Sequence, residues 1–297
     1  MKRTGALWEP LCSWRNLTEA ARRAALAKKK RPDVAQYLLN LENELVKLRQ
    51  TLLEENWQPG PYRSFRILEP KPRQISAAPF ADRVVHHAFT QVVEPVFEKR
   101  FLDSSYACRQ GFGTHRALSA ARAAAARYPF VLQCDIRKYF ATLDHQILLA
   151  ELERVIKCKP TLRLAQAIVS GSDFPRESPD WYFPGDTLFT PAERQRGLPL
   201  GNQTSQFFAN VYLNPLDHFV VRQIRPAVYA RYVSSATLLS AVAKAIYVPS
   251  TDESIWTSPR VPSRLLPRNG LLRQASRIRM RKRAPLLSSL SRSWSAG

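Results

Sequence analysis

The sequence predicts an α+β fold. Three observations carry that expectation: apolar residues at helical spacing from Val34 to Leu52, an apolar run from Phe130 to Phe140 of strand composition, and a strand, tight turn, strand pattern between Ala227 and Leu239. The chain has 297 residues, 45% of them hydrophobic, enough to bury a substantial core.

The elements follow in order. Up to about Arg31, apolar Leu7, Trp8, Trp14, Leu17 and Leu26 mix with two basic clusters, Arg22-Arg23 and Lys28-Lys29-Lys30-Arg31. Those clusters read either as an arm that grips nucleic acid or as a solvated helix face. Pro32 and Asp33 suit a helix start, and Val34, Leu38, Leu41, Leu45, Leu48 and Leu52 mark one buried stripe that Asn56, Pro59 and Gly60 end. Tyr62–Leu68 and Glu69–Ile75 read as a hairpin, with Lys71 and Arg73 at or near its connection. Read alone, these two are ordinary exposed cations. Asp82 precedes a helical run that Pro95 ends or kinks. Gly111 and Gly113 allow close backbone approach before an alanine-rich helix from Ala117 to Arg127.

The run Phe130–Phe140 is the organising stretch, since a strand rich in Val, Leu, Ile and Phe belongs inside a sheet and carries one carboxylate, Asp135. Asp135 reads as a metal ligand, or as a solvated carboxylate at a strand end. A helix from about His145 to Ile156 follows, then a long loop from Ser172 to Arg196 rich in Pro, Asp and Gly. Gly197-Leu198-Pro199-Leu200-Gly201 is a turn opening a helix through Phe207, Phe208, Val211 and Tyr212. Ser234 and Ser235 fall at the last tight turn. From Ser240 onward Ser, Arg and Pro dominate, Asp252 and Glu253 are the only acids, and a disordered basic tail is expected.

Forty-five Lys and Arg against 24 Asp and Glu give a net charge of +21, which points to nucleic acid as partner. An anionic membrane surface competes, yet no stretch of about 18 apolar residues appears. Met1-Lys2-Arg3-Thr4 leads into no apolar signal core, so the cytoplasm is the expected compartment. Four cysteines without C-x-x-C spacing support neither a disulfide framework nor a structural zinc, and the five histidines read as structural or surface groups.

The order of these pieces resembles the fingers and palm of a bacterial reverse transcriptase, of the type found in group II introns, retrons and diversity-generating retroelements. The likeness runs from about Pro32 to Val233. It rests on Phe65-Arg66-Ile67 with Pro70–Arg73, on Asp82–Ala88, on Tyr106–Arg109 with Gly113-Thr114-His115, on the Asp135 strand, and on Gly197–Gly201 with Ser205-Gln206. Leu200-Gly201 and Ser205-Gln206 look most like the diversity-generating group. The resemblance implies a right-hand polymerase with a helical segment over 1–60, fingers over 61–125, an incomplete palm over 126–239 and the basic tail over 240–297, with no recognisable thumb. It implies template-directed deoxynucleotidyl transfer by two magnesium ions, an RNA template, a DNA or RNA primer and deoxynucleoside triphosphates. A small helical accessory protein follows only from likeness to the diversity-generating group.

Residue by residue, the resemblance makes Asp135 the catalytic ligand of both magnesium ions, and the Ile136 carbonyl completes one shell. Phe140 becomes the aromatic gate against a ribose 2′ hydroxyl; without the family it is a core aromatic. Lys71 and Arg73 meet the triphosphate, and Leu200, Gly201 and Gln206 line the nucleotide pocket. The departure is at the hairpin, where the family carries Tyr-x-Asp-Asp and this chain has Tyr232-Val233-Ser234-Ser235. Neutral hydroxyls supply no charge to a magnesium pair, so impaired or absent catalysis is expected, with a non-catalytic RNA-binding remnant as the alternative. Asp144 and Asp217 are poor stand-ins for the lost pair, Asp144 because it sits where a helix cap belongs. A reading frame altered near Ser234 would explain both the lost carboxylates and the composition shift.

Overall fold

The computed structural model describes residues 3–68, 73–128, 130–136, 138–171, 187, 189–240 and 275–282. The fold is α+β, and the chain forms two compact units, one of residues 1–100 with 140–212 and one of 101–139 with 213–297. Each unit joins two separate stretches of sequence, so the units cut across the consecutive spans 1–60, 61–125 and 126–239.

In the first unit a short turn, α1 (Trp8–Leu11), precedes α2 (Trp14–Ala24), which Ser13 caps by accepting from the Asn16 amide at 3.3 Å. Leu17, Ala20, Ala21 and Ala24 form its buried stripe, and Arg22 and Arg23 on the exposed side each pair with Glu19 at 2.7 Å. That half of the basic N-terminus is a solvated helix face. The single helix expected from Pro32 onward is two, α3 (Pro32–Leu39) and α4 (Leu41–Leu53). Asn40 breaks it: its backbone leaves the helical region at φ −111°, ψ 27°, and its side-chain oxygen accepts from Asn43 at 2.8 Å.

The expected hairpin is present, β1 (Arg63–Ile67) pairing antiparallel with β2 (Arg73–Ala77). Helix α5 (Phe80–Glu98) starts two residues before Asp82 and runs through Pro95 without ending there. Asp82 is buried and accepts from the Gly60 amide at 2.7 Å, tying the segment before the hairpin to α5.

The second unit carries α6 (Thr114–Arg127), whose buried Ala117, Ala121 and Ala124 pack against Tyr106 and Ala230. It also holds β3 (Phe130–Ile136), the strand expected from the apolar run. The chain continues through α7 (Tyr139–Thr142) into the remaining helices of the first unit. Of these, α8 (His145–Glu153) is capped by Asp144, which accepts from Gln146 and Ile147 amides at 2.8 and 3.1 Å. Next comes α9 (Lys159–Ser170), a helix that the sequence reading above does not contain. Its buried Thr161, Leu164, Ala165, Ile168 and Val169 carry the helical period after Pro160 in the first turn. Most of the long loop expected over 172–196 lies outside the described residues; its end forms α10 (Thr190–Glu193).

Helix α11 (Gln203–Phe219) passes through Pro215 and loosens into a π turn over Val220–Ile224, which Arg225 closes in a left-handed conformation at φ 51°. Then β4 (Val228–Tyr232), β5 (Ser235–Ser240) and β6 (Ala275–Lys282) complete a four-stranded antiparallel sheet in the order β4-β5-β3-β6. Strand β6 corrects the expectation of disorder over 240–297 for the residues described there. Arg277-Ile278-Arg279-Met280-Arg281 alternates with period two, and the edge of β3 left open by β5 accepts it. The rest of 241–297 lies outside the described residues.

Among the described residues no helix is long and apolar enough to cross a membrane.

Candidate functional site

The residues singled out from the sequence fall into two groups, one in each unit. In the second unit, Asp135 lies on β3, directly across from Ser235 on β5. Ser235 in turn faces Tyr232 across a two-residue loop, Val233-Ser234. Ser234 donates its hydroxyl to Asp135 Oδ1 at 3.3 Å, and its carbonyl accepts the Ile136 amide at 3.3 Å. Asp135, Ile136, Ser234 and Ser235 are therefore neighbours, although 99 positions separate Asp135 from Ser234. The turn is strained: Val233, a β-branched residue, holds φ at 52°.

What holds that turn is a buried ion pair. Arg231 is fully enclosed at 1% exposure and grips Asp217 in fork geometry, Nε to Oδ1 and Nη2 to Oδ2 at 2.7 Å each. Nη2 also donates to Ser105 Oγ at 2.7 Å, and Nη1 to the Val233 carbonyl at 2.9 Å, so the guanidinium reaches the turn itself. The Tyr229 hydroxyl completes the carboxylate by donating to Oδ1 at 2.6 Å. Burial alone would lower the pKa of Arg231, but the Asp217 charge outweighs it and raises it; burial and then Asp217 push Tyr229 up. Backbone bonds from Tyr106 to the Arg231 carbonyl and from Arg231 to the Ser104 carbonyl, 2.9 and 2.8 Å, lock the same strand to the 104–106 segment.

Next to it, Thr114 and the Tyr232 hydroxyl share a hydrogen bond of 2.9 Å. Phe112 lies against two guanidinium groups, Arg109 at 4.1 Å and Arg116 at 4.2 Å from its ring centre. Gly111 and Gly113 hold φ at 77° and 113°, and a Cβ at either would meet nothing within 4 Å. They serve the backbone conformation of the loop, not the close approach expected of them. Cys134 is pushed up to about 12 by burial and by the neighbouring Asp135 carboxylate.

In the first unit the 197–201 turn meets both the hairpin and Phe140. The Leu198 amide donates to the Phe140 carbonyl at 2.7 Å, and the Ser76 amide to the Leu200 carbonyl at 3.2 Å. Gly201 has φ 114°, and a Cβ there would lie 3.2 Å from the Ile75 methyl, so conformation and space both require glycine. Asn202 donates to the Tyr62 hydroxyl at 3.2 Å, and His145 Nε2 donates to the Gly197 carbonyl at 2.6 Å. Burial lowers the His145 pKa, with the Gly197 bond and Asp144 opposing. Phe140 and Leu200 are half-buried, Gly201 and Gln206 are exposed, and Arg73 opens β2; Lys71 lies outside the described residues. The structure thus gathers Phe140, Leu200, Gly201 and the strand begun by Arg73.

Both stand-in carboxylates are committed elsewhere. Asp144 caps α8 and pairs with Arg194 at 3.0 Å, and Asp217 is saturated by Arg231 and Tyr229. Among the described residues no group of three or more His, Cys, Asp or Glu could hold a metal ion. At the positions that matter stand one carboxylate and two serines, a donor set that does not fit a magnesium pair. The Arg231–Asp217 pair is the feature that sequence reasoning missed. The signal was available: an arginine inside the apolar strand Val228–Tyr232 needs a buried anion.

No family model matches the chain. It is similar to Protein YkfC of Escherichia coli, 26% identical over 186 residues, covering 60% of this chain and 45% of that protein. It is similar to the Group II intron-encoded protein LtrA of Lactococcus lactis, 24% identical over 184 residues, 61% of this chain and 29% of LtrA. A third relative is mitochondrial Nuclear intron maturase 2 of Arabidopsis thaliana, 23% identical over 266 residues, 74% of this chain and 33% of the maturase. The chain spans less than half the length of each of these relatives.

Proposed function

We propose that this chain is a member of the reverse transcriptase family, related to intron-encoded enzymes, that binds RNA and is impaired in deoxynucleotidyl transfer. The observation that carries this reading is the placement of a tight hairpin after Tyr232 against the Asp135 carboxylate, with serines at both positions where the family carries aspartates. The contact of Phe140 and of β2 with the 197–201 turn supports a nucleotide pocket formed by Phe140, Leu200, Gly201, Gln206, Arg73 and Lys71. The intron-encoded relatives and the charge of +21 support RNA as partner, template and primer included.

Magnesium chemistry would need charge at positions 234 and 235 that the serines do not supply, so no catalytic step is assigned to the chain as it stands. That substitution favours the second reading, a non-catalytic RNA-binding remnant. Likeness to the diversity-generating group, and with it an accessory protein, rests on Leu200-Gly201 and Ser205-Gln206 alone.

Binding to a mixed-sequence single-stranded RNA should weaken by about 10²-fold between about 50 and about 200 mM salt, as expected for roughly five phosphate contacts. Fluorescence anisotropy over that range measures it. Salt-independent binding, or none at low salt, contradicts the reading.

A further inference from the structure

We infer that the C-terminal strand β6 supplies the counter-charge of Asp135, with Arg277 in the role that a divalent cation has in a polymerase. The inference rests on the register of the sheet and does not need the polymerase reading.

Strand β3 is flanked on both sides, and its register places Asp135 between Ser235 of β5 and Arg277 of β6. In an antiparallel pair, residues directly across from one another share a sheet face, and that face alternates along each strand. Val131, Gln133 and Asp135 therefore share one face with Arg281, Arg279 and Arg277. Leu132 and Cys134 share the other with Met280 and Ile278, and Leu132 is buried. The alternation of β6 thus matches that of β3 position by position, apolar with apolar and arginine with the polar face. A slip by one residue would set Ile278 or Ser276 across from Asp135 and turn the arginines to the apolar face, so the pattern specifies this register.

The pairing shifts immediately after Asp135, where Ile136 meets Ala275 and Ser276 is the extra residue on β6. A bulge at that point ends the regular ladder at the carboxylate. Charge balance favours the same assignment. The Ser234 hydroxyl bonded to Asp135 adds no charge, so the local excess is one negative charge. One guanidinium balances it; a pair of divalent ions would leave a large uncompensated positive charge.

A double-mutant cycle in thermal unfolding of the full chain, without nucleic acid, tests this. Asp135→Asn and Arg277→Gln should each lower Tm, and the double variant should lose less than the sum, with a coupling of about 1–3 °C. The exchanged pair Asp135→Arg with Arg277→Asp should recover Tm relative to Asp135→Arg alone, which sets two arginines across from each other. Strictly additive single losses overturn the inference. If the exchanged chain does not fold, the milder Asn/Gln cycle still decides. Because the cycle is read without RNA, its failure leaves RNA binding untouched, and failure of RNA binding leaves the cycle untouched.

Discussion

Replacing Asp217 by alanine is expected to destabilise the protein by about 3–5 kcal/mol, among the largest effects open to one substitution. The loss comes less from the attraction removed than from the charge left behind. Arg231 is 1% exposed, and without Asp217 its guanidinium keeps Ser105 and the Val233 carbonyl as neutral partners but has no anion. The Tyr229 hydroxyl would lose its acceptor in the same step. Replacing both ion-pair partners by apolar residues of similar volume should cost markedly less than Asp217→Ala, because no orphaned charge then remains. Urea unfolding of the single and double variants measures both. A loss under about 1 kcal/mol for Asp217→Ala would show that the pair does not hold the sheet.

The second large effect concerns the turn that this pair supports. Arg231 binds the Val233 backbone carbonyl, a contact indifferent to the side chains at 234 and 235. Ser234→Asp with Ser235→Asp should therefore keep the hairpin and change its charge. Three carboxylates would then crowd one place, since Ser234 already touches Asp135 and Ser235 lies across from it. Like charges at about 4 Å repel by about 1–4 kcal/mol in a partly solvated setting, so the variant should melt lower than the parent in EDTA. Magnesium should reverse this, returning about 2.7 kcal/mol when its free concentration is about 100 times Kd. The parent should show no magnesium response beyond that of ionic strength. An equal response in both would mean that the two serine positions are irrelevant to cation binding.

Much of the architecture was legible where one residue pattern dominates. The apolar run of β3, the alanine stripe of α6 and the hairpins at 63–77 and 228–240 all follow from spacing, because each buries a face with a single period. Asn40 was harder, since the leucine period continues across it while the backbone does not. Strand β6 hides because five residues of alternation among arginines look like composition until an open strand edge gives them a partner. The candidate site was legible as a set of positions but not as a structure. Asp135 and Ser234 meet only through register, and the clamp needs Asp217 and Arg231, 14 positions apart on a helix and a strand. Sequence spacing cannot say which buried acid meets which buried arginine. It did place Asp144 as a helix cap, because a cap is a local interaction.

The most direct test of the central claim, a polymerase scaffold that has lost the second half of its catalytic charge, is primer extension on an RNA template with magnesium and deoxynucleotides. The chain as given should incorporate no nucleotide above the level of its Asp135→Ala variant. Robust extension by the parent chain that disappears in Asp135→Ala would contradict the account, because one carboxylate and two serines would then suffice.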